Sequence, residues 1–385
     1  MTTRQRLTLP AATMLPPEAL ALLATGHDQL MIPAGESIIR EGEPGDAMFV
    51  LLEGELAITV QGKQIDYLLP GMILGEMAMV DDRPRSATAT AVGQVAVVRI
   101  DRARFLRLIH ESPEFAIHVM NIMSARTRRL MEEEVERQRM EEELAIGRRI
   151  QLSLLPRGCP QVAGYEFAAG YRAARQVGGD LYDFTVQPDD HSRVHIVIAD
   201  VTGKGVPAAL YMAVSRTLLH NYALDGLGPG EALRRLNEFI RSDEASPLFL
   251  SAFYTILDAD TGCLIYANGG HNPPLWLHTA TGEIEPLRAR GLLLGAFDGA
   301  LVEEHTCFLA PGDYVVFFTD GITEARNRSG DFLDDEGLEA IVGSRSWSSA
   351  EELLTAVIQG AVVFSEGLPQ ADDFTVIVLR RQPLS

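Results

Sequence analysis

The stretch Ile196-Val-Ile-Ala-Asp200-Val-Thr-Gly203-Lys-Gly205-Val-Pro207-Ala-Ala-Leu210 decides how this chain is read. Val194, Ile196, Val197 and Ile198 make an apolar, β-branched run of the kind that forms a buried strand, and a small-residue helix opening at Pro207 follows shortly after Val201. Asp200 therefore stands where a strand ends. Gly203 and Gly205 let the backbone turn tightly and come close to whatever Asp200 holds, as a metal or phosphate site requires. One aspartate at a strand end says little, but others share the context. They are Asp180 and Asp183 in Val177-Gly-Gly-Asp-Leu-Tyr-Asp-Phe184, Asp320 after Tyr314-Val-Val-Phe-Phe-Thr319, and Asp372 and Asp373 before Phe374-Thr-Val-Ile-Val-Leu379.

At 385 residues the chain is long enough for two or three domains, each with its own core. An apolar fraction of 46% beside 22% charged residues is ordinary for a globular protein and argues against disorder. With 33 basic against 53 acidic residues the net charge is −20, which opposes the long basic surface that duplex DNA demands and suits cation binding or plain solubility. No nucleic-acid partner is expected. The segment Met1 to Pro10 is charged but lacks an apolar leader core, and no run reaches roughly eighteen uninterrupted apolar residues, so the expectation is a cytoplasmic protein with no membrane partner. Cys159, Cys263 and Cys307 are odd in number and widely spaced, which fits neither a disulfide framework nor a zinc site.

From about Leu30 to Ile100 strand-like runs alternate with glycine turns: Ser37-Ile-Ile, Met48 to Leu52, Leu56 to Val60, Val95 to Ile100. This is the signature of an antiparallel barrel or sandwich. Within it lies Gly75-Glu76-Met-Ala78-Met-Val-Asp-Asp-Arg-Pro-Arg85-Ser86-Ala87. A glycine ahead of a short helical turn can aim backbone N–H groups at a phosphate, Arg85 can supply a bidentate fork, and Glu76 is free to accept from a ribose hydroxyl. The spacing alone equally allows an ordinary hairpin closed by a surface Glu–Arg pair. The stretch resembles the phosphate-binding cassette of the cyclic-nucleotide-binding fold, together with the upstream turns Pro33-Ala-Gly-Glu and Glu41-Gly-Glu-Pro-Gly-Asp. That resemblance implies that Glu76 binds the ribose, that Arg85 binds the cyclic phosphate, and that Gly75, Ala78 and Ser86 line the pocket. It leaves the base open between cyclic AMP and cyclic GMP. The alternative is a β-roll that has kept its fold and lost its ligand, which the presence of both Glu76 and Arg85 opposes.

Between Pro113 and Pro156 there is no proline, and Gly147 is the only glycine. From Arg126 to Arg149 the segment is nearly all Arg, Glu, Met and Leu, with opposite charges four apart, among them Arg129–Glu133, so a long helix is expected. Its apolar positions, including Leu130, Met131, Val135 and Met140, do not hold a strict heptad. A homodimer through this helix and a solvated spacer both fit. At its end Ile150-Gln-Leu-Ser-Leu-Leu-Pro156 turns apolar and must pack on the next domain.

In the remainder, strands (Ala252 to Leu257, Tyr314 to Thr319, Phe374 to Leu379) alternate with helical stretches (Gly230 to Arg241, Ser349 to Phe364), predicting a sheet sandwich flanked by helices. Several carboxylates at strand ends converge only if cations neutralise them. The candidate ligands are all oxygens, which favours Mg²⁺ or Mn²⁺ over zinc, and two such ions can activate water for attack on a phosphoryl group. Neither a Ser-His-Asp nor a Cys-His arrangement suggests covalent catalysis. His271, in Gly269-Gly-His-Asn-Pro-Pro, invites a general-acid role but also suits a hydrogen-bonding turn histidine.

Six motifs here resemble, in order, those of the bacterial SpoIIE/RsbU-type serine/threonine phosphatases, a branch of the protein phosphatase 2C superfamily. They are Gln151-Leu-Ser-Leu-Leu-Pro, Val177-Gly-Gly-Asp-Leu-Tyr-Asp, Ala199-Asp-Val-Thr-Gly-Lys-Gly, Ala267-Asn-Gly-Gly-His-Asn-Pro-Pro, Phe318-Thr-Asp-Gly-Ile-Thr-Glu-Ala and Asp372-Asp-Phe-Thr. The segment Arg172-Ala-Ala-Arg-Gln lacks the proline common there in the family, which touches a loop and no ligand. The resemblance implies two metal ions, with Asp200 bridging them and the carbonyl of Val201 as a further ligand. Asp320 and Asp372 would complete one site, and Asp180 would act on the second ion through water. Asp373 is a metal ligand or a supporting neighbour, as is Asp183, and Thr319 and Thr375 support the site. The expected architecture is α+β and multidomain: an antiparallel β-roll of the cyclic-nucleotide-binding fold over 1–112, a helical linker over 113–150, and an α/β sandwich of the protein phosphatase 2C type over 151–385. The expected activity is hydrolysis of a phosphoprotein, such as a phosphorylated anti-sigma-factor antagonist, under cyclic-nucleotide control. The alternatives are an inactive module that sequesters a partner and a cyclic-nucleotide-responsive transcription regulator, the latter opposed by the acidic balance and the lack of a basic helix-turn-helix.

Overall fold

Short apolar runs between glycine turns become the strands of the first half of the chain: β1 (Gln29–Ile32), β2 (Ser37–Ile39), β3 (Ala47–Glu53), β4 (Leu56–Val60), β5 (Lys63–Leu68), β6 (Ile73–Leu74), β7 (Thr88–Ala91) and β8 (Val95–Asp101). They form two four-stranded antiparallel sheets, ordered β1-β8-β3-β6 and β2-β7-β4-β5. Side chains of β3 alternate between two cores, as a pleated strand requires. Ala47, Phe49 and Leu51 enter one with Leu56, Ala89 and Val97. Met48 and Val50 enter the other with Phe105, Phe115, Val119 and Ile122, which come from the helices α1 (Arg102–Glu111) and α2 (Pro113–Leu154). Asp101 caps α1 by accepting from the backbone N–H of Arg104 at 2.8 Å.

The computed structural model describes residues 14–15, 20, 23, 29–81, 83–242, 248–299 and 301–383, and the leader reading at Met1 to Pro10 lies outside them. The chain divides into two units, Met1–Arg139 and Met140–Ser385, so the 42-residue helix α2 starts in the first and ends in the second. Its apolar residues are spread around its circumference, Leu130, Met131, Val135 and Met140 being exposed. Of its expected charge pairs Arg129–Glu133 forms at 2.8 Å, and Arg137 reaches back to Glu134 at 2.6 Å. Among the described residues no helix is long and apolar enough to cross a membrane. All three cysteines are free thiols.

The second unit is built on β9 (Tyr165–Arg172), β10 (Leu181–Gln187), β11 (Asp190–Val201), α3 (Val206–Leu224), α4 (Pro229–Ser242), β12 (Leu250–Asp258), β13 (Cys263–Gly269), β14 (Leu275–His278), β15 (Glu283–Pro286), β16 (Glu304–Phe308), β17 (Tyr314–Phe318), α5 (Asp320–Thr323), α6 (Asp334–Val342), α7 (Ala350–Phe364) and β18 (Phe374–Arg381). Two five-stranded antiparallel sheets result, ordered β10-β11-β12-β13-β16 and β15-β14-β17-β18-β9. Val315 and Phe317 of β17 join Ile196, Ile198 and Phe253 in the core between the sheets. Tyr314, Val316 and Phe318 point the other way, onto Leu338, Leu353 and Val357 of α6 and α7. With α3 and α4 on the first sheet, the layers run helix, sheet, sheet, helix. Both faces of β17 are covered, and its sequence is a continuous apolar run, while β11 is covered only from Val194 onward, where its apolar run is interrupted by His195.

Candidate active site

Two strand pairs, one from each sheet of the second unit, end at a common point. In one, Leu181 lies opposite Ala199, so the next residues outward, Asp180 and Asp200, stand side by side. In the other, Phe318 lies opposite Val376, and the N–H of Thr319 donates to the carbonyl of Thr375 at 3.1 Å, just before Asp320 and just after Asp373. Asp180 joins the two. Its buried Oδ2 accepts from the Thr319 hydroxyl at 2.7 Å and from the Thr375 hydroxyl at 2.5 Å. The supporting role expected of both threonines is the one observed.

The Gly178–Gly179 turn permits this approach. A Cβ on Gly179 would lie 2.8 Å from the carbonyl oxygen of Val201 and 3.2 Å from Oδ1 of Asp200. One on Gly178 would overlap the Asp373 carboxylate and the Tyr171 hydroxyl. Asp373 holds this turn with both oxygens, Oδ1 accepting from Ala174 N–H and Oδ2 from Gly179 N–H, each at 2.8 Å. The geometry thus assigns Asp373 to the support of Asp180. Asp183 faces away from the cluster, onto Arg216 at 2.8 Å and His220 at 2.7 Å, and braces α3 against β10.

The carboxylates are short of positive charge. Burial, then the charges of Asp200 and Asp373, push Asp180 well above the usual carboxylate range, and the two threonine hydroxyls only partly offset this. Burial and then Asp320 push Asp200 up to about 7, against a hydrogen bond from the Asp180 carboxyl that works the other way. Asp320 rises to about 6 through burial, Glu324 and Asp372, opposed by the Gly321 N–H and by Lys204. The Lys204 ammonium stands 2.6 Å from Asp372 Oδ2 and 2.9 Å from the carbonyl of Ala371.

Hard oxygen donors with unbalanced negative charge fit a divalent cation of the Mg²⁺ or Mn²⁺ type. Among the described residues no three acidic, histidine or cysteine side chains close on one point at ligand distance. Asp180, Asp200 and Asp320 are gathered into one electrostatic group, and Asp372 is drawn to Lys204.

His271 is a brace. Its Nδ1 pairs with the Ser251 hydroxyl at 2.7 Å, its Nε2 with the carbonyl of Phe318 at 3.1 Å, and its backbone N–H with Asn268 Oδ1 at 2.7 Å. Burial lowers its pKa to about 4, so the ring is neutral and fixes the end of β17. Of the two readings open for His271, the geometry supports the turn histidine. Sequence reasoning missed two working side chains. The Gln151 amide donates to the carbonyl of Gly178 at 2.6 Å and accepts from its N–H at 3.1 Å, tying the end of α2 to the turn before Asp180. Lys204 is the other. Both lay inside quoted motifs, Gln151-Leu-Ser-Leu-Leu-Pro and Gly203-Lys-Gly205, where only the polar identity of the residue signals them.

The first unit carries its own cavity of about 600 Å³, and Gly75, Glu76, Ala78, Arg85 and Ser86 all line it. Gly75, with φ +73°, opens a 3₁₀ turn over Glu76–Met79. Arg85 donates to the carbonyls of Ala47 at 2.6 Å and Gly75 at 3.1 Å. Glu76 is not free as the sequence suggested, since its Oε1 accepts from Arg126 of α2 at 2.5 Å. Both groups are buried and they do not pair with each other, so the surface-hairpin reading falls. Arg126 lies fifty residues downstream, beyond the reach of local spacing.

Residues 29–112 match the cyclic nucleotide-binding domain family, and residues 190–382, half of the chain, match the family described as Stage II sporulation protein E, SpoIIE. The chain belongs to the SpoIIE family. Over 245 residues this SpoIIE-family phosphatase is 31% identical to the phosphoserine phosphatase RsbU of Bacillus subtilis, covering 64% of this chain and 72% of that protein. Over 103 residues it is 37% identical to a cAMP-dependent protein kinase regulatory subunit of Emericella nidulans, covering 26% of this chain and 25% of that one. The solved SiaA-PP2C domain of Pseudomonas aeruginosa is similar with a TM-score of 0.56 at 20% identity, covering 64% of this chain and 98% of that one, which establishes the fold. The phosphatase therefore joins a cyclic-nucleotide-binding domain to a PP2C-type α/β sandwich.

Proposed function

We propose that this chain is a cyclic-nucleotide-regulated phosphoprotein phosphatase that works with two divalent cations, Mn²⁺ or Mg²⁺. The observation that carries this reading is the meeting of Asp180 and Asp200, at the end of one strand pair, with Asp320 at the end of the other, all three holding protons more tightly than free carboxyls. On this reading Asp200, the carbonyl of Val201, Asp320 and Asp372 would hold the ions, Asp180 would act on the second through water, and Asp373, whose oxygens accept from Ala174 and Gly179, would stand beside them as a ligand or a support. Bound there, the ions supply an activated water and neutralise the phosphoryl group it attacks. Thr319 and Thr375 orient Asp180, and Asp373 and Gln151 hold the turn that presents it.

The likeness to RsbU favours a seryl phosphate on a small regulatory protein, such as an anti-sigma-factor antagonist. Cyclic AMP or cyclic GMP would occupy the cavity lined by Gly75, Glu76, Ala78, Arg85 and Ser86, and α2 would carry its effect. We take residues 1–112 as the sensor, 113–150 as the linker and 151–385 as the phosphatase. We place the protein in the cytoplasm, with no nucleic-acid partner, as a homodimer through the linker helix, where Met131, Val135 and Met140 are exposed.

The test is phosphate release from a phosphoester with Mn²⁺, with and without each cyclic nucleotide, in the wild type and in Asp200→Asn. Metal-dependent release that the substitution cuts by 10²-fold or more, on the scale of losing a transition-state electrostatic contact, supports the reading. Release that survives Asp200→Asn would overturn the assigned ligand. A protein that binds Mn²⁺ and its phosphoprotein but releases nothing would be the sequestering module instead.

A further inference from the structure

The cavity of the first unit has two unlike walls. One is the turn that carries Glu76 and Arg85. The other, from β5 and α2, brings Asp66, Arg129 and Glu133 to the lining. Arg129 Nε donates to Glu133 Oε1 at 2.8 Å, while its Nη1 stands 3.9 Å from Asp66 Oδ2. That separation is too long for a hydrogen bond. Asp66 uses Oδ1 to accept from the N–H of Tyr67 at 2.8 Å. Among the described residues, the Nη groups of Arg129 and Oδ2 of Asp66 make no hydrogen bond, so donors and an acceptor lie side by side in the wall with capacity to spare. Glu133 orients the guanidinium. Ile58, Ile65 and Leu130 line the same cavity and offer flanks for a flat ring.

A purine edge tells these two groups apart. Guanine sets the acceptors O6 and N7 beside the donors N1–H and N2–H, and a guanidinium takes O6 and N7 in a fork while a carboxylate takes the two N–H groups. Adenine in the same pose turns its amino donor toward the guanidinium and its N1 lone pair toward the carboxylate. Adenine keeps N7 for one arm of the fork, but the amino–guanidinium and N1–carboxylate contacts are repulsive, and a site built to hydrogen-bond one ligand rejects the one that leaves its polar groups unpaired. We propose that Asp66 and Arg129 read the base of the bound nucleotide and select cyclic GMP over cyclic AMP. This rests on the reading of the cavity as a cyclic-nucleotide site.

The full chain is titrated calorimetrically with cyclic GMP and cyclic AMP, as wild type, Asp66→Ala and Arg129→Gln. The wild type binds cyclic GMP at least about tenfold more tightly, the discrimination one good bidentate contact supplies. Each substitution brings the ratio to within about threefold by weakening cyclic GMP and, with a repulsive contact to adenine removed, leaving cyclic AMP bound as tightly or more tightly. Equal or tighter binding of cyclic AMP overturns the base assignment alone, as does a cyclic GMP preference that survives both substitutions. Binding of neither nucleotide by a wild type that still shows Mn²⁺-dependent phosphate release overturns the cyclic-nucleotide reading, and the base assignment with it.

Discussion

His195 is buried on β11, where its Nδ1 meets the Tyr254 hydroxyl at 2.9 Å and its Nε2 has no hydrogen-bond partner among the described residues. Desolvation lowers its pKa from 6.5 to about 4, so the folded chain strongly prefers the neutral ring. A histidine lowered on folding stabilises above its unfolded value and loses that contribution as pH falls from about 6.5 toward 4. Asp180, Asp200 and Asp320 work in the opposite sense, since their raised values favour protonation in the folded state. The difference between wild type and His195→Gln separates the two effects. Chemical denaturation should show the wild type losing roughly 2 to 3 kcal/mol relative to the variant between pH 7 and pH 4. At this scale the strand-end aspartates were legible because covered strands write themselves as apolar runs that stop at a charged residue. Their partners were not. Thr319 and Thr375 act on Asp180 from 139 and 195 residues away, and nothing in a local window records that register.

The end of α2 is the element on which the site leans most. Gln151 satisfies both backbone groups of Gly178, and Gly178 precedes the turn that sets Asp180 beside Asp200. Gln151→Ala frees a buried N–H and carbonyl, a loss of about 1 to 3 kcal/mol. Phosphate release against Mn²⁺ concentration should then show a half-saturation raised several-fold and a turnover lowered about tenfold, the effect expected when a support of a metal ligand is removed. The helix itself was readable from composition, and so were β2, β3, β4, β8, β12, β17 and β18, whose glycine or polar boundaries are sharp. By contrast β9, Tyr165-Glu-Phe-Ala-Ala-Gly-Tyr-Arg172, carries no clean alternation, and its place is fixed by pairing with β18 some two hundred residues later.

The division of the molecule at Arg139 and Met140 gives each unit its own hydrophobic cores. Calorimetric heating should resolve two unfolding transitions, one raised by cyclic nucleotide and the other by Mn²⁺. Each ligand at a hundredfold excess over its Kd adds about 2.7 kcal/mol to the unit that holds it. A single transition raised by both would mean that the two units unfold as one. In the second unit, β18 lies between β17 and the edge strand β9, so among the described residues β9 joins its sheet through β18. Antiparallel pairing of Tyr165 with Arg381 and of Arg172 with Phe374 closes a loop of about two hundred residues, a contact of high sequence separation of the kind that slows folding. Asp372 and Asp373 stand at the threshold of that strand. Until β18 docks beside β17, Asp180 therefore lacks the Thr375 hydroxyl and its turn lacks the Asp373 carboxylate, so the cluster is finished by the same event that joins β9 to its sheet.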